Sequence, residues 1–272
     1  MSPAERPVGE RPLPPTGKAE PRIAVVTGAA KRIGRAIALD LAKHGWRVAI
    51  TWHSSVEEAV QTVRDIEAAG TRGLAIRADL TDEAQVEAVM PQAAEGLGGP
   101  VSLLVNNASA FRMDTVATAT RASWDEHLET NLRAPLVLTQ AMARQLPADW
   151  PGNVVNMLDQ RVWNPTPYFL SYTVAKIGLW TLTRTLAQAL APRIRVNGIG
   201  PGPTLKSDRQ SEEHFALQWD AVPLRRPTAP QEICDAIRFI LSAPAMTGQM
   251  IALDGGEHLG WAQPSRGIVP LE

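Results

Sequence analysis

The chain is predicted to fold as a single doubly wound α/β domain, a seven-stranded parallel sheet flanked by helices on both faces. Three observations predict it. From Arg22 onward, short runs that are apolar on both faces alternate with longer runs of helical period. A glycine-bearing turn joins the first such strand to the first helix. No linker or internal repeat divides the sequence after residue 21, and 272 residues suffice for one large core.

Taken in order, Arg22–Thr27 reads as a buried strand and Ile33–His44 as a helix ended by Gly45. Arg47–Trp52 is the second strand, Val56–Ala69 the second helix, and Gly70 its stop. Arg72–Arg77 is the third strand; Thr81 then reads as the cap of a helix with Asp82 and Glu83 in its first turn. Val101–Asn106 is strand four, and Ser123 with Glu126 reads as a capping box opening a long helix to about Gln145. Asn153–Leu158 is strand five and Ser171–Ala191 a long helix. Arg195–Ile199, the helix Pro230–Ser242 and Met250–Leu253 complete the alternation.

Residues 1–21 stand apart from the domain of 22–272. Pro3, Pro7, Pro12, Pro14, Pro15 and Pro21 alternate there with charged residues and glycine, which reads as a disordered tail. It has no apolar stretch of the kind a signal peptide needs.

Composition excludes several function classes. With 27 basic and 28 acidic residues the net charge is −1, without the basic excess of a nucleic-acid binder. The eight tryptophans are scattered and make no stacking ladder. The longest apolar runs are too short to cross a bilayer. The single Cys234 reads as a small core residue, and five histidines show no metal-ligand spacing. A cytoplasmic enzyme acting on a small molecule, with no metal, nucleic acid or membrane partner, is the expectation.

The first turn reads Thr27-Gly28-Ala29-Ala30-Lys31-Arg32-Ile33-Gly34. A glycine-bearing turn in this place lets backbone N–H groups meet a phosphate at the helix N-terminus. Lys31 and Arg32 read as cations serving that phosphate, or as solvated loop charges. In such folds an acid ending the second strand holds the ribose 2′-hydroxyl of NAD. Here that strand runs into His53-Ser54-Ser55, with no acid before Glu57, so charge logic favours NADP(H). Ser54 and Ser55 also read as the N-cap of the following helix, and the two readings are compatible.

Tyr172 is one of only two tyrosines, and Lys176 lies four residues on. On a helix the phenol and the ammonium share a face. A lysine cation there stabilises a phenolate and makes Tyr172 a usable general acid.

The turn resembles the TGxxxGxG loop of the short-chain dehydrogenase/reductase family, a Rossmann fold, with Arg32 where the middle glycine is usual. The resemblance spans about residues 22–262, with further motifs in order: Asn106-Asn107-Ala108-Ser109, Tyr172-Thr173-Val174-Ala175-Lys176, Pro201-Gly202 and Asp254-Gly255-Gly256. It implies that Gly28, Lys31, Arg32, Ile33, Gly34, His53, Ser54 and Ser55 hold the phosphates and ribose of NADP(H). By the same likeness Asp79 and Leu80 hold the adenine, and Asn107, Ala108, Ser109 and Met157 line the middle of the cofactor. Pro201, Gly202 and Thr204 then close over the nicotinamide, with Asn131, Tyr172 and Lys176 as the catalytic set. A homotetramer is the family's usual assembly.

Most members carry a serine thirteen positions before the tyrosine; this chain has Asp159. An aspartate there, the AAKR loop and an NNAS segment followed closely by an aromatic, here Phe111, are similar to the pteridine reductases of the family, which include dihydromonapterin and dihydrofolate reductases. The likeness implies reduction of a pterin C=N bond by NADPH, with proton relay through Tyr172 and Asp159. Arg32, Ser109, Phe111, Asp159, Phe169 and Tyr172 would then contact the substrate, Phe111 by stacking, although Phe111 also reads as a core residue under a loop. Arg161 and Trp163 stand on the pocket's other wall without an assigned role. The alternatives are a ketone or 3-oxoacyl reductase that tolerates Asp159 and, more remotely, a dinucleotide-binding regulator without turnover.

Overall fold

The computed structural model describes residues 22–207 and 210–260; the proline-rich segment 1–21 lies outside the described residues. Strands β1 (Ile23–Val26), β2 (Arg47–Trp52), β3 (Gly73–Arg77), β4 (Leu103–Asn106), β5 (Gly152–Met157), β6 (Ile194–Pro201) and β7 (Met250–Leu253) form one parallel sheet in the order β3-β2-β1-β4-β5-β6-β7. The chain starts at the centre, runs outward to β3, and crosses back to lay β4 beside β1. That reversal opens a crevice at the carboxyl ends of β1 and β4, where ligands bind in open α/β sheets.

Helices α1 (Arg32–Lys43), α2 (Val56–Ala68) and α8 (Pro230–Ser242) cover one face; α3 (Glu83–Leu97), α5 (Ala134–Gln145) and α6 (Leu170–Leu190) cover the other. The strand period of two divides the core between them. Ala24 and Val26 pack with Ile37, Leu41 and Ile237, whereas Ile23 and Val25 pack with Val89, Met90 and Leu138. Cys234 is buried in the first of these layers, which pushes its thiol up to about 12 and leaves it a core residue.

Four arginines at strand starts tie the sheet to the ends of helices on its two faces. Arg47 and Arg72 donate to the carbonyl of Leu97 at the end of α3, at 2.8 and 3.4 Å. Arg193 donates to Leu146 and Ala143 at the end of α5, at 2.6 and 2.9 Å. Arg195 donates to Ile240, Leu241 and Met246 at the end of α8, at 2.8, 3.2 and 2.8 Å. Each satisfies carbonyls that a helix C-terminus leaves without partners, and places a cation where the dipole favours one.

Several local readings are corrected. The cap of α3 is Asp82, whose carboxylate accepts the N–H groups of Ala84 and Gln85, while Thr81 is occupied by Asp79. The helix expected from Ser123 begins a turn earlier as α4 (Arg121–Leu128): Thr120 is the cap, Ser123 its reciprocal partner, and Glu126 pairs with Arg112. The helix is also not continuous to Gln145, because a π-helical turn over Glu129–Arg133 separates α4 from α5. Ser55 caps α2 by position but makes no side-chain cap bond. A further helix, α7 (Glu212–Asp220), buries none of its residues, so no apolar stripe announced it.

Arg195→Met keeps the aliphatic stem but removes the guanidinium from three carbonyls. Met246 is left with the Asn197 amide at 3.0 Å, Ile240 with the Ala243 N–H at 3.4 Å, and Leu241 without that charged donor. We expect unfolding free energy to fall by about 2 kcal/mol in urea titration, the cost of buried acceptors losing a charged donor. An unchanged midpoint would show that water replaces the guanidinium.

Candidate active site

The crevice is organised by one hydroxyl. Thr27 Oγ1, at the end of β1, accepts the N–H groups of Asn107 and Ala108, both at 2.9 Å. The Asn107 amide returns to the carbonyls of Thr27 and Gly28 at 2.9 and 3.2 Å. Gly28 (φ +61°) sits so close to β4 that a Cβ would lie 2.9 Å from the Cα of Ala108. A Cβ on Gly34 would lie 2.5 Å from the Asn107 amide nitrogen and 2.7 Å from the Gly28 carbonyl oxygen. These positions admit only glycine.

A cleft of about 690 Å³ opens over this junction, lined among others by Gly28, Lys31, Arg32, Ile33, Gly34, His53, Asp79, Leu80, Asn107, Ala108 and Ser109. The close-packed glycine turn at a helix N-terminus fits the diphosphate of a dinucleotide. Arg32 adopts φ +57°, the left-handed backbone for which glycine is usual, at a cost of about 1–2 kcal/mol. Its guanidinium is spent on the loop after β6, donating to the carbonyls of Lys206 and Leu205 at 2.7 and 3.0 Å. His53 Nε2 faces Asp79 Oδ2 at 3.6 Å. The backbone and hydroxyl of Thr81 hold the Asp79 carboxyl below its ordinary range. Ser54 and Ser55 lie at the start of α2 and are not among the lining residues. Thr51, whose Oγ1 accepts the Gly28 N–H at 3.0 Å, was not anticipated.

Beyond Ser109 lies a denser cluster. Tyr172 donates its hydroxyl to Asp159 Oδ2 at 2.8 Å. Arg161 donates to the same oxygen through Nη1 at 3.0 Å, and to Oδ1 through its backbone N–H at 2.8 Å. All three partners are donors, so Asp159 acts here as an acceptor. Lys176 is buried and donates to the Met157 carbonyl at 2.8 Å. Burial pushes the Lys176 ammonium down to about 8, against the opposing pull of Asp159. Asn131, in the π-helical turn, zips onto the backbone of Ala110 through both amide atoms, at 2.8 and 2.9 Å.

Phe111 stacks on Phe169 with ring centres 4.7 Å apart, and meets the Tyr172 ring edge-on at 4.5 Å. Arg161 lies over both phenylalanines, 5.6 and 5.2 Å from their centres, and its Nε has no partner. Nearby, burial pushes the Glu257 carboxyl up to about 7, with Arg161 opposing. Pro201 ends β6; Gly202 donates to the Leu253 carbonyl at 3.0 Å, and Thr204 is held by the Gly202 carbonyl at 2.9 Å. Ser109 is exposed at the mouth, donating to the Ala110 carbonyl at 3.2 Å. Among the described residues no group of three or more His, Cys, Asp or Glu could hold a metal ion. No described helix is long and apolar enough to cross a membrane.

If Tyr172 gives up a proton in the reaction, the charged Lys176 stabilises the phenolate left behind. That charge is present below about pH 8 and is lost as pH rises through that value. We expect kcat/KM to hold level just below this pH and to fall above it. A profile flat to about pH 10, the ordinary lysine range, would dissociate Lys176 from the chemistry.

Known proteins share this fold. The structure of FolM alternative dihydrofolate reductase 1 from Brucella suis, in complex with NADP, superposes with a TM-score of 0.86 at 47% identity, covering 89% of this chain and 97% of that one. Its Brucella canis counterpart, also complexed with NADP, gives 0.84 at 44% identity over 91% and 98% of the two chains. A 3-oxoacyl-[acyl-carrier-protein] reductase FabG from Staphylococcus aureus (strain Mu50 / ATCC 700699) is 32% identical over 241 residues, 87% of this chain and 98% of the relative. Residues 22–215 match the family described as short chain dehydrogenase, and the chain belongs to that family.

Proposed function

We propose that this oxidoreductase uses NADPH to reduce a C=N bond of a pterin, converting a dihydropterin or dihydrofolate to its tetrahydro form. The observation that carries the reading is the 2.8 Å hydrogen bond from Tyr172 to Asp159, set directly against the Phe111–Phe169 pair. NADP in the two FolM structures supports the cofactor assignment.

When bound, NADPH supplies a hydride to the ring carbon, and the adjacent ring nitrogen must then gain a proton. Tyr172 stands ready to give it, with Lys176 easing the loss. Asp159 orients the hydroxyl and, as an acceptor, suits the N–H groups on the edge of a pterin. Asn131 fixes the loop that carries Phe111, whose flat face suits a bicyclic ring. The glycine turn and Lys31 hold the diphosphate, and His53 serves the 2′-phosphate, while Ser54 and Ser55 stand back from the cleft at the start of α2. Arg32 acts on the substrate side through the loop it fastens. Assembly as a homotetramer belongs to the same proposal; the apolar groove of Leu128, Leu132, Leu136 and Leu182, beside exposed Val174 and Ile177, offers a face for it.

The second reading, reduction of a 3-oxoacyl thioester, is favoured by the 32% identity to the FabG reductase. Asp159→Ser separates the two, because it installs the residue common in carbonyl reductases. Under the pterin reading, turnover of dihydrobiopterin or dihydrofolate falls by about 10² or more while NADPH binding persists. Full pterin turnover in the variant, or a wild type that reduces ketones and no pterin, overturns it.

Cofactor choice is tested separately. The kcat/KM for NADPH should exceed that for NADH by about tenfold or more, the worth of one charge-assisted contact. Equal values would remove His53 from the 2′-phosphate site.

A further inference from the structure

Behind the Phe111 loop lies a buried polar chain that the proposed chemistry does not use. His127 of α4 and Ser171 of α6 are fully buried, and Asp114, on the loop after β4, is 2% exposed. Each supports the next. The backbone N–H of Arg112, beside Phe111, donates to His127 Nε2 at 3.1 Å. His127 Nδ1 meets Ser171 Oγ at 2.6 Å. Ser171 Oγ donates to Asp114 Oδ2, and the Ser171 N–H donates to Asp114 Oδ1 at 3.1 Å.

The proton positions in this chain are determined. A backbone N–H can only donate, so Nε2 of His127 is the acceptor and the ring proton sits on Nδ1. Nδ1–H then donates to Ser171 Oγ, whose own proton goes to Asp114. This is not a nucleophile's triad, in which the imidazole stands between hydroxyl and carboxylate. Here the hydroxyl stands between the other two and is sealed from any substrate.

What the chain joins is informative. One end holds the backbone next to Phe111; the other holds the residue that precedes Tyr172. The Leu170 N–H adds a bond to the Asp114 carbonyl at 3.2 Å, and the His127 ring meets that of Tyr172 edge-on at 6.1 Å. We propose that His127, Ser171 and Asp114 are positioning residues that set the Phe111 loop against the Tyr172 helix, and thereby set the width of the substrate slot. The inference rests on the reading of Phe111 as a substrate contact.

The relay holds only while the His127 ring is neutral, since a second ring proton would oppose the Arg112 N–H. Burial lowers the His127 pKa and protects that state. The charged and titratable groups facing the ring are Asp114 and Arg112 from the loop, Glu126 from α4 and Tyr172 from α6; Asp114 and Glu126 oppose the lowering and Arg112 adds to it. Arg112 and Glu126 are themselves paired at 3.1 Å. Below the ordinary histidine range, as the ring gains its proton, the Arg112 end of the loop is released from His127 while Asp114 stays bonded to α6.

The test uses the full chain, with Ser171→Ala and His127→Asn as separate variants. Ser171→Ala breaks the relay at its centre; we expect the pterin KM to rise about tenfold, the worth of one buried hydrogen bond, with kcat within about twofold. Wild-type KM should climb as pH falls below the ordinary histidine range, and this acid limb should vanish in His127→Asn, which cannot titrate. Hydrogen exchange at the Arg112 amide provides a readout without variants or substrate: its protection in the wild type should collapse over the same pH interval while β4 stays protected. Variants that lose only melting temperature, with KM, pH profile and Arg112 exchange unchanged, overturn the proposal. A wild type that reduces no pterin but shows the pH-dependent exchange would overturn the substrate reading and leave the relay standing.

Discussion

The Thr27 hydroxyl is the constraint on which the placement of both halves of the site depends. It accepts two successive N–H groups from the end of β4, so β1 and β4 cannot separate at their carboxyl ends. The phosphate turn follows Thr27 and the Phe111 loop follows Ala108; one buried oxygen therefore fixes the start of both. Gly28 and Gly34 let the backbones approach closely enough for those bonds to form. The crevice at the strand reversal is a consequence of the topology, but its shape depends on this contact.

A second constraint acts across the sheet. α6 must present Tyr172 and Lys176 to the crevice while packing its other side in the core, and the i to i+4 spacing does this without special geometry. Lys176 is buried deeply enough to shed much of its usual basicity, which nearby Asp159 partly offsets, and it donates to the Met157 carbonyl. Asn131 reaches the Ala110 backbone because the helix widens into a π turn at that point. The widening is characteristic of functional positions in helices.

The fold was legible in the sequence because its carriers are local. Strands apolar on both faces, Gly45 and Gly70 at positive φ after helices, and Pro230 in the first turn of α8 are all readable from neighbours. Tyr172 and Lys176 were legible for the same reason, being one helical turn apart. What was not legible depends on distant partners. Arg32 looked like a phosphate ligand, yet its guanidinium holds a loop more than 170 positions away. Arg161 had no evident role until folding placed it over two phenylalanines and on Asp159. His127 and Ser171 lie 44 positions apart, and no spacing rule joins them.

Asp159 and Arg161 are best understood as one change from the usual family site. A carboxyl group in place of a serine hydroxyl brings charge into a buried setting, where an unpaired ion is costly. Arg161, two residues on, answers it through both its backbone N–H and its guanidinium. The guanidinium in turn needs a flat surface, which Phe111 and Phe169 provide. The same aromatic surface and carboxylate offer a planar heterocycle what they already offer arginine: a π face to lie against and an acceptor for its N–H groups. A ketone or thioester, having neither a flat ring nor such donors, would leave Asp159 dependent on Arg161 and Tyr172 alone. The departure from serine is therefore accompanied by the groups that a buried carboxylate requires, and it is on these groups that the proposed pterin reading rests.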